Sequence, residues 1–227
     1  MQLVTLDRIT KHYPIGKGYF TALHDVSLQF EQGEFCGIIG PSGSGKTTLL
    51  NIIGSLDSPS AGSAIVLDKQ VEHLKEKQAA HLRSRNMGFI FQTYNLLPVY
   101  SVFENVEFPL LLLDLTPEQR KQKVIDALTW VGLMDKINSR PAQLSGGECQ
   151  RVAIARAIVK RPKIVLADEP TANLDADNSK IILDEMRRLN EELKITFIFA
   201  THDEKVIHHL KRKIFLIDGR VVKDERI

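Results

Sequence analysis

Gly40-Pro41-Ser42-Gly43-Ser44-Gly45-Lys46-Thr47 matches the pattern G-x-x-x-x-G-K-[ST], and its neighbours decide what the match means. Glu34 to Ile39 before it is short and apolar like a buried strand, and the following TTLLNIIG reads as a helix. In that context glycines let the backbone curl so that several N–H groups point inward at phosphate oxygens. The helix N-terminus adds its partial positive charge. Lys46 is placed to reach the β- and γ-phosphates of a nucleotide, and Thr47 to offer its hydroxyl to Mg²⁺, a hard cation that takes oxygen ligands. Gly40, Pro41, Ser42, Gly43, Ser44, Gly45, Lys46, Thr47 and the adjoining Thr48 form the predicted phosphate site.

Outward from this loop, strand-like and helix-like runs alternate, which predicts a parallel sheet with helices on its faces. Met87 to Phe91, Lys163 to Ala167 and Ile195 to Ala200 are further short apolar runs and read as core strands. Leu3 to Ile9 and Ala22 to Phe30 alternate like half-exposed strands, predicting an antiparallel piece joined by a loop around Pro14, Gly16 and Gly18. From 101 to 161 the pattern turns helical. Thr116-Pro117-Glu118-Gln119 carries an N-cap, a proline at the first helical position and a capping-box partner, and Val124, Leu128 and Val131 follow at helical spacing. A second helix is predicted from near Ser145 to the Arg161-Pro162 stop.

Composition excludes several classes. The chain has 227 residues, 43% apolar and 26% charged, so it is long enough to bury a core and too apolar for disorder. Thirty Lys and Arg against 28 Asp and Glu leave a net charge of +2, which supplies no broad positive field, and nucleic acid is not an expected partner. The apolar run Pro109 to Leu113 lies between Glu107 and Asp114, far short of the roughly 20 residues that span a bilayer. Asp7 and Arg8 interrupt the first residues before a signal-peptide core could form, so a cytosolic chain is expected. Cys36 and Cys149 have no metal-ligand spacing and read as small apolar fillers kept as thiols.

Two further segments carry chemistry. Ile164-Val165-Leu166-Ala167-Asp168-Glu169 is an apolar strand ending in two carboxylates, and open α/β sheets bind ligands at the carboxyl ends of their strands. Asp168 suits a role in holding Mg²⁺, and Glu169 in polarising the water that attacks a γ-phosphorus. Leu144-Ser145-Gly146-Gly147-Glu148 opens a helix and offers exposed N–H groups with a hydroxyl, a second anion site. Read alone it is an ordinary capping box of Ser145 with Glu148.

Together these motifs resemble the ATP-binding subunit of an ABC transporter, and the resemblance covers essentially the whole chain. The Walker A stretch GPSGSGKT, Gln92 after FIF, the signature LSGGE, the Walker B segment IVLAD with Glu169, the D-loop Asp175 and His202 stand in family order. NLLP (Asn95 to Pro98), ENVEFPL (Glu104 to Leu110) and DEPTANLD (Asp168 to Asp175) resemble the subgroup of LolD-type, MacB-type and FtsE-type ATPases. Ala172 stands where that subgroup usually has glycine. The resemblance implies a P-loop NTPase core of α/β class with a parallel sheet, an N-terminal antiparallel β subdomain and an α-helical subdomain inserted at about 93–161, all within one domain, 1–227.

It also implies ATP and Mg²⁺ as ligands, and a homodimer in the ATP-bound state that holds each ATP between Walker A of one chain and Ser145, Gly146, Gly147 and Glu148 of the other. Tyr13 takes the place of the ring that stacks on adenine, with Tyr19 and Phe20 as competing choices. Gln92 senses Mg²⁺ or the attacking water, His202 bonds the γ-phosphate and orients Glu169, and Asp175 bridges the subunits. A separate integral membrane permease is expected to dock on residues 93 to 110, where Tyr94, Leu96, Leu97, Tyr100 and Phe103 suit such a contact. That places the subunit on the cytoplasmic face of the inner (plasma) membrane, driving transport of the lipoprotein-release or macrolide-export type. The alternative is an FtsE-like ATPase that regulates a membrane partner without transport.

Overall fold

The computed structural model describes residues 1–226. Strands β1 (Gln2–Ile15), β2 (Gly18–Glu31) and β3 (Phe35–Ile39) come first, followed by helix α1 (Lys46–Ile53), β4 (Ala61–Val66) and the short β5 (Lys69–Gln70). Helix α2 (Glu76–Asn86) runs directly into β6 (Met87–Ile90), and α3 (Val102–Glu107), α4 (Pro117–Trp130) and α5 (Gly146–Ile158) precede β7 (Ile164–Asp168). Then come α6 (Ala176–Leu193), β8 (Thr196–Thr201), α7 (Glu204–His209), β9 (Arg212–Ile217) and β10 (Arg220–Arg226).

The strands form two sheets. β2-β1-β4-β5 is antiparallel, and β10-β9-β3-β8-β7-β6 is parallel except for its β10 edge. Side chains alternate between faces along a strand, and here both faces are covered. Cys36, Ile38, Ile164, Leu166, Ile198 and Ala200 pack with α1 and the antiparallel sheet. Phe35, Ile39, Val165, Ala167, Phe197 and Phe199 pack with α3, α4, α5 and α6. This double burial is why the four core strands read as continuous apolar runs.

Helix boundaries follow their caps. Thr116 and Ser145 cap α4 and α5, each reciprocated by the predicted residue, Gln119 or Glu148, and Ser101 with Glu104 makes a third such box on α3. Helix α5 lies so close to β6 that a Cβ on Gly88 would fall 2.5 Å from the Ala157 carbonyl oxygen. The helices of this segment therefore share one continuous core with the sheet.

Pro14 is not in a loop, as the sequence pattern suggests, but in β1 opposite Tyr19, and the turn is only Gly16-Lys17. β4 pairs with β1 no further than Thr10, so beyond that point one side of β1 carries no ladder for a proline to interrupt. β4, β9 and β10 are not singled out by the sequence pattern either: Gly62 and Ser63 leave β4 only a short apolar end, and charged residues open β9 and interrupt β10. β9 and β10 are instead held by Arg212. Its guanidinium donates to both carboxylate oxygens of Asp224 (2.9 and 2.7 Å), to Glu34 Oε2 (2.9 Å) and to the Gln29 carbonyl (2.6 Å), and it stacks on Phe30. Removing one partner of a buried pair strands the others. Arg212→Ala is expected to lower unfolding free energy by about 3 kcal/mol, read from urea titration; an unchanged midpoint would show that the clasp contributes nothing.

Candidate active site

The glycine-rich loop joins the end of β3 to α1, with Gly45 at the helix N-cap in the left-handed region (φ 100°). A Cβ there would lie 2.5 Å from the Ala22 carbonyl oxygen, so both conformation and space require glycine. Lys46 is buried, and its ammonium donates to the carbonyl oxygens of Gly40 (2.7 Å) and Pro41 (2.9 Å), which folds it over the loop. The buried Ser44 hydroxyl in the same loop has no hydrogen-bond partner among the described residues, an unmet polar group of the kind a phosphate oxygen satisfies.

Facing this loop are the ends of β7 and β8. The Thr47 hydroxyl donates to Asp168 Oδ2 at 2.9 Å, so two of the three predicted Mg²⁺ ligands already touch. Burial pushes the Asp168 carboxyl up, and the Glu169 charge adds to the rise. Thr47 and Lys46 pull it back. Two neighbouring carboxylates with one hydroxyl are a hard-oxygen set short of positive charge, and this fits Mg²⁺. Among the described residues no cluster of three or more His, Cys, Asp or Glu stands ready to hold a metal alone. Mg²⁺ commonly binds through one or two carboxylates plus substrate phosphates, so the sparse set is the expected one.

Glu169 is the strained residue of the site, with φ 46° in a region few non-glycine residues adopt. Its N–H donates to the Ala200 carbonyl (2.9 Å), and its carboxylate takes the Thr201 hydroxyl on Oε2 (3.0 Å) and His202 Nδ1 on Oε1 (2.6 Å). The turn thus directs a carboxylate out of the sheet end, and the last residue of β8 and the residue after it each hold one of its oxygens.

The other predicted residues form separate groups. Tyr13 is half-buried beside Thr48, and its hydroxyl donates to Asp57 (2.9 Å), whereas Tyr19 and Phe20 are exposed. The Gln92 carbonyl accepts from Asn173 Nδ2 at 2.7 Å. Ser145 and Glu148 complete their capping box, while Gly146 lies near Tyr94 and Asn173 and Gly147 against Asn178. Asp175 caps α6 through the N–H of Asn178 (2.8 Å).

A model of the ABC transporter family matches residues 23–172. The chain belongs to the ABC transporter family. The cassette is 41% identical to the lipoprotein-releasing system ATP-binding protein LolD of Idiomarina loihiensis, covering 98% of each chain. It is 44% identical to the macrolide export ATP-binding/permease protein MacB of Burkholderia pseudomallei over 98% of its own length, which spans 34% of that protein. Among solved structures it resembles the dimeric post-hydrolysis state of the ATP-binding cassette MJ0796 bound to ADP and Pi, from Methanocaldococcus jannaschii. The TM-score is 0.90 and the identity 40%, with 99% of this chain and 98% of the other covered. The cassette is an ATP-binding subunit and an ATPase.

Several residues of the cassette's site are not legible as motifs. Thr201 holds Glu169, Asn173 ties the Gln92 loop to the D-loop, and buried Gln150 on α5 donates to the Pro170 carbonyl (2.7 Å). Arg156 donates to the carbonyls of Tyr94 (2.6 Å) and Asn95 (2.5 Å), and buried Asn105 accepts the Leu97 N–H (2.7 Å), which shapes residues 94 to 101. Of the contact residues expected there, Tyr100 is exposed and Leu97 half-buried. Leu96 and Phe103 pack against the core, and Tyr94 turns toward Asn173 and Gly146. Phe91, Val99, Tyr100, Phe108, Leu111 and Leu112 are the exposed apolar residues. Gly45→Ala is expected to reduce stability by about 2 kcal/mol and ATP affinity at least tenfold, by thermal melting and nucleotide titration. Wild-type values for both would refute the steric reading of this turn.

Proposed function

We propose that the cassette works as one half of an ATP-driven motor that moves a separate membrane permease of the lipoprotein-release or macrolide-export type. The observation that carries this reading is the Thr47–Asp168 and Thr201–Glu169–His202 network, a pair of carboxylates held in different ways at one sheet end beside Lys46. Lys46 exchanges its carbonyl partners for β- and γ-phosphate oxygens. Thr47, Asp168 and Gln92 would hold Mg²⁺, which when bound would neutralise charge on those oxygens. Glu169 accepts a proton from water as the water oxygen bonds to the γ-phosphorus and the bond to the β–γ bridging oxygen breaks, giving ADP and phosphate. His202 orients Glu169 and donates to the γ-phosphate, while Tyr13, steadied through its hydroxyl by Asp57, stacks on adenine.

Gly146 and Gly147 lie beside Tyr94, Asn173 and Asn178 of their own chain, and Ser145 and Glu148 bond each other, with Lys136 beside Glu148, rather than the Lys46 loop, which supports a second copy as the source of their phosphate. In that head-to-tail homodimer Asp175 reaches across the interface. MJ0796 is described as a dimer with ADP and Pi bound, which favours the same assembly here. ATP links the two copies through its phosphates, and hydrolysis removes those links, so binding energy becomes movement.

The permease reading rests on a groove of 340 Å³ lined by Phe89, Phe91, Phe108, Pro109, Leu112 and Lys160. Burial pushes Lys160 down to about 8, and its ammonium donates to the Arg83 carbonyl (2.8 Å). A docking helix with an apolar face and one carboxylate matches this chemistry. The inserted helices at about 93–161 would carry that movement from the Gln92 loop to the permease. Among the described residues no helix is long and apolar enough to cross a membrane. MacB joins ATP-binding and permease functions in one protein, of which this chain matches a third. LolD, covered to 98% of its length by this chain, is by name the ATP-binding protein of its system, and this favours a permease on a second polypeptide, with the cassette on the cytoplasmic face of the inner membrane.

Glu169→Gln is expected to keep ATP binding, slow hydrolysis by about 100- to 10,000-fold and accumulate an ATP-bound dimer on size exclusion; turnover at the wild-type rate would remove Glu169 from this role. Phe108→Glu with Leu112→Glu should leave the basal ATPase of the isolated cassette intact and abolish copurification with its membrane partner. Unchanged copurification would place the docking surface elsewhere.

A further inference from the structure

A second concavity, of 550 Å³, opens at the opposite end of the parallel strands from the Lys46 loop. It lies where β6 and β7 begin, against α2 and the turn between β4 and β5. Leu67, Leu74 and Leu82 give it apolar walls, and Lys69, Lys77, His81 and Lys163 supply its charge. No carboxylate lines it. The ammonium groups of Lys69, Lys77 and Lys163 make no ion pair or hydrogen bond among the described residues, although the chain as a whole is nearly balanced in charge. The carboxylates nearest in sequence do not offset them: Glu76 pairs with Arg83, Glu72 accepts from Ser63 and the Ala64 N–H, and Asp68 lies outside the lining.

Backbone conformation adds an independent observation. Leu67 and Asp68 are the two central residues of the hairpin turn between Val66 and Lys69, at φ 51° and 64°. Turns with both central residues left-handed favour Asn-Gly or Asp-Gly, and a leucine there is strained. That strain holds a half-buried leucine side chain in the wall of the cavity. The Lys163 N–H donates to the Asn86 carbonyl (2.9 Å), which joins the roots of β6 and β7 beneath it.

We infer that this cavity is a binding site for a small amphipathic anion, a carboxylate or phosphate head on a medium-length apolar chain. The volume lies within the range of about 300–1,000 Å³ usual for small-molecule sites. Unpaired cations around an apolar wall are complementary to a charged head and an apolar body together, and to neither alone.

Calorimetric titration of the whole chain with octanoate, octyl phosphate, 1-octanol and inorganic phosphate tests the assignment. The expected result is saturable one-to-one binding of octanoate or octyl phosphate, the tighter of the two naming the head group. Octanol and inorganic phosphate should bind at least tenfold more weakly. Lys77→Glu with Lys163→Glu should weaken the tighter anion at least tenfold while melting and ATP turnover stay unchanged. Leu67→Asn, which suits the turn and makes the wall polar, should weaken the same anion. Absence of saturable binding by both amphipathic anions, equal binding of octanol, or affinity unaffected by both variants would overturn it.

Discussion

A parallel sheet joined by helical crossovers has no face it can leave in water, and β3, β8, β7 and β6 are buried on both. From that constraint the site follows. With both faces sealed, only the strand ends are open to a ligand. The three that matter stop side by side, β3 at Ile39, β8 at Thr201 and β7 at Asp168. The Lys46 loop, the Asp168-Glu169 pair and His202 all leave the sheet at this end, so a rigid core positions groups drawn from three distant parts of the chain.

Charge at that end is unevenly shared. Asp168 is pushed toward its neutral form by burial and by Glu169, and Thr47 and Lys46 oppose the shift. Glu169 is held differently, through a left-handed backbone turn and a bond to each carboxylate oxygen, one from Thr201 at the end of β8 and one from His202 just beyond it. The two acids are adjacent in sequence yet meet different partners. In the proposed motor, this difference would let one pair serve both a cation and a water molecule. Backbone strain at Glu169 is sustained because the sheet over-determines its position.

Around this centre, three loops are tied by side chains that touch only backbone carbonyls. Asn173 reaches Gln92, Gln150 reaches Pro170, and Arg156 reaches Tyr94 and Asn95. These links join the signature helix, the D-loop and the segment after β6 into one connected layer. The Gln92 segment is thereby part of a packed layer rather than a free loop.

The sequence by itself determined the phosphate loop, the four core strands, the capped helices α4 and α5, and the residue types at the site. Each of these depends on local chemistry: glycine spacing, apolar runs, and cap residues three positions from their partners. Tertiary structure alone decided the rest. Arg212 joins Glu34 to Asp224, Thr201 grips Glu169, and Phe108 and Leu112 stay exposed while Leu96 and Phe103 turn inward. The lysine-lined cavity likewise assembles from β5, α2 and the start of β7, which lie far apart in the chain. Contacts between residues tens of positions apart leave no periodicity to read, because they are set by which elements the buried sheet brings together.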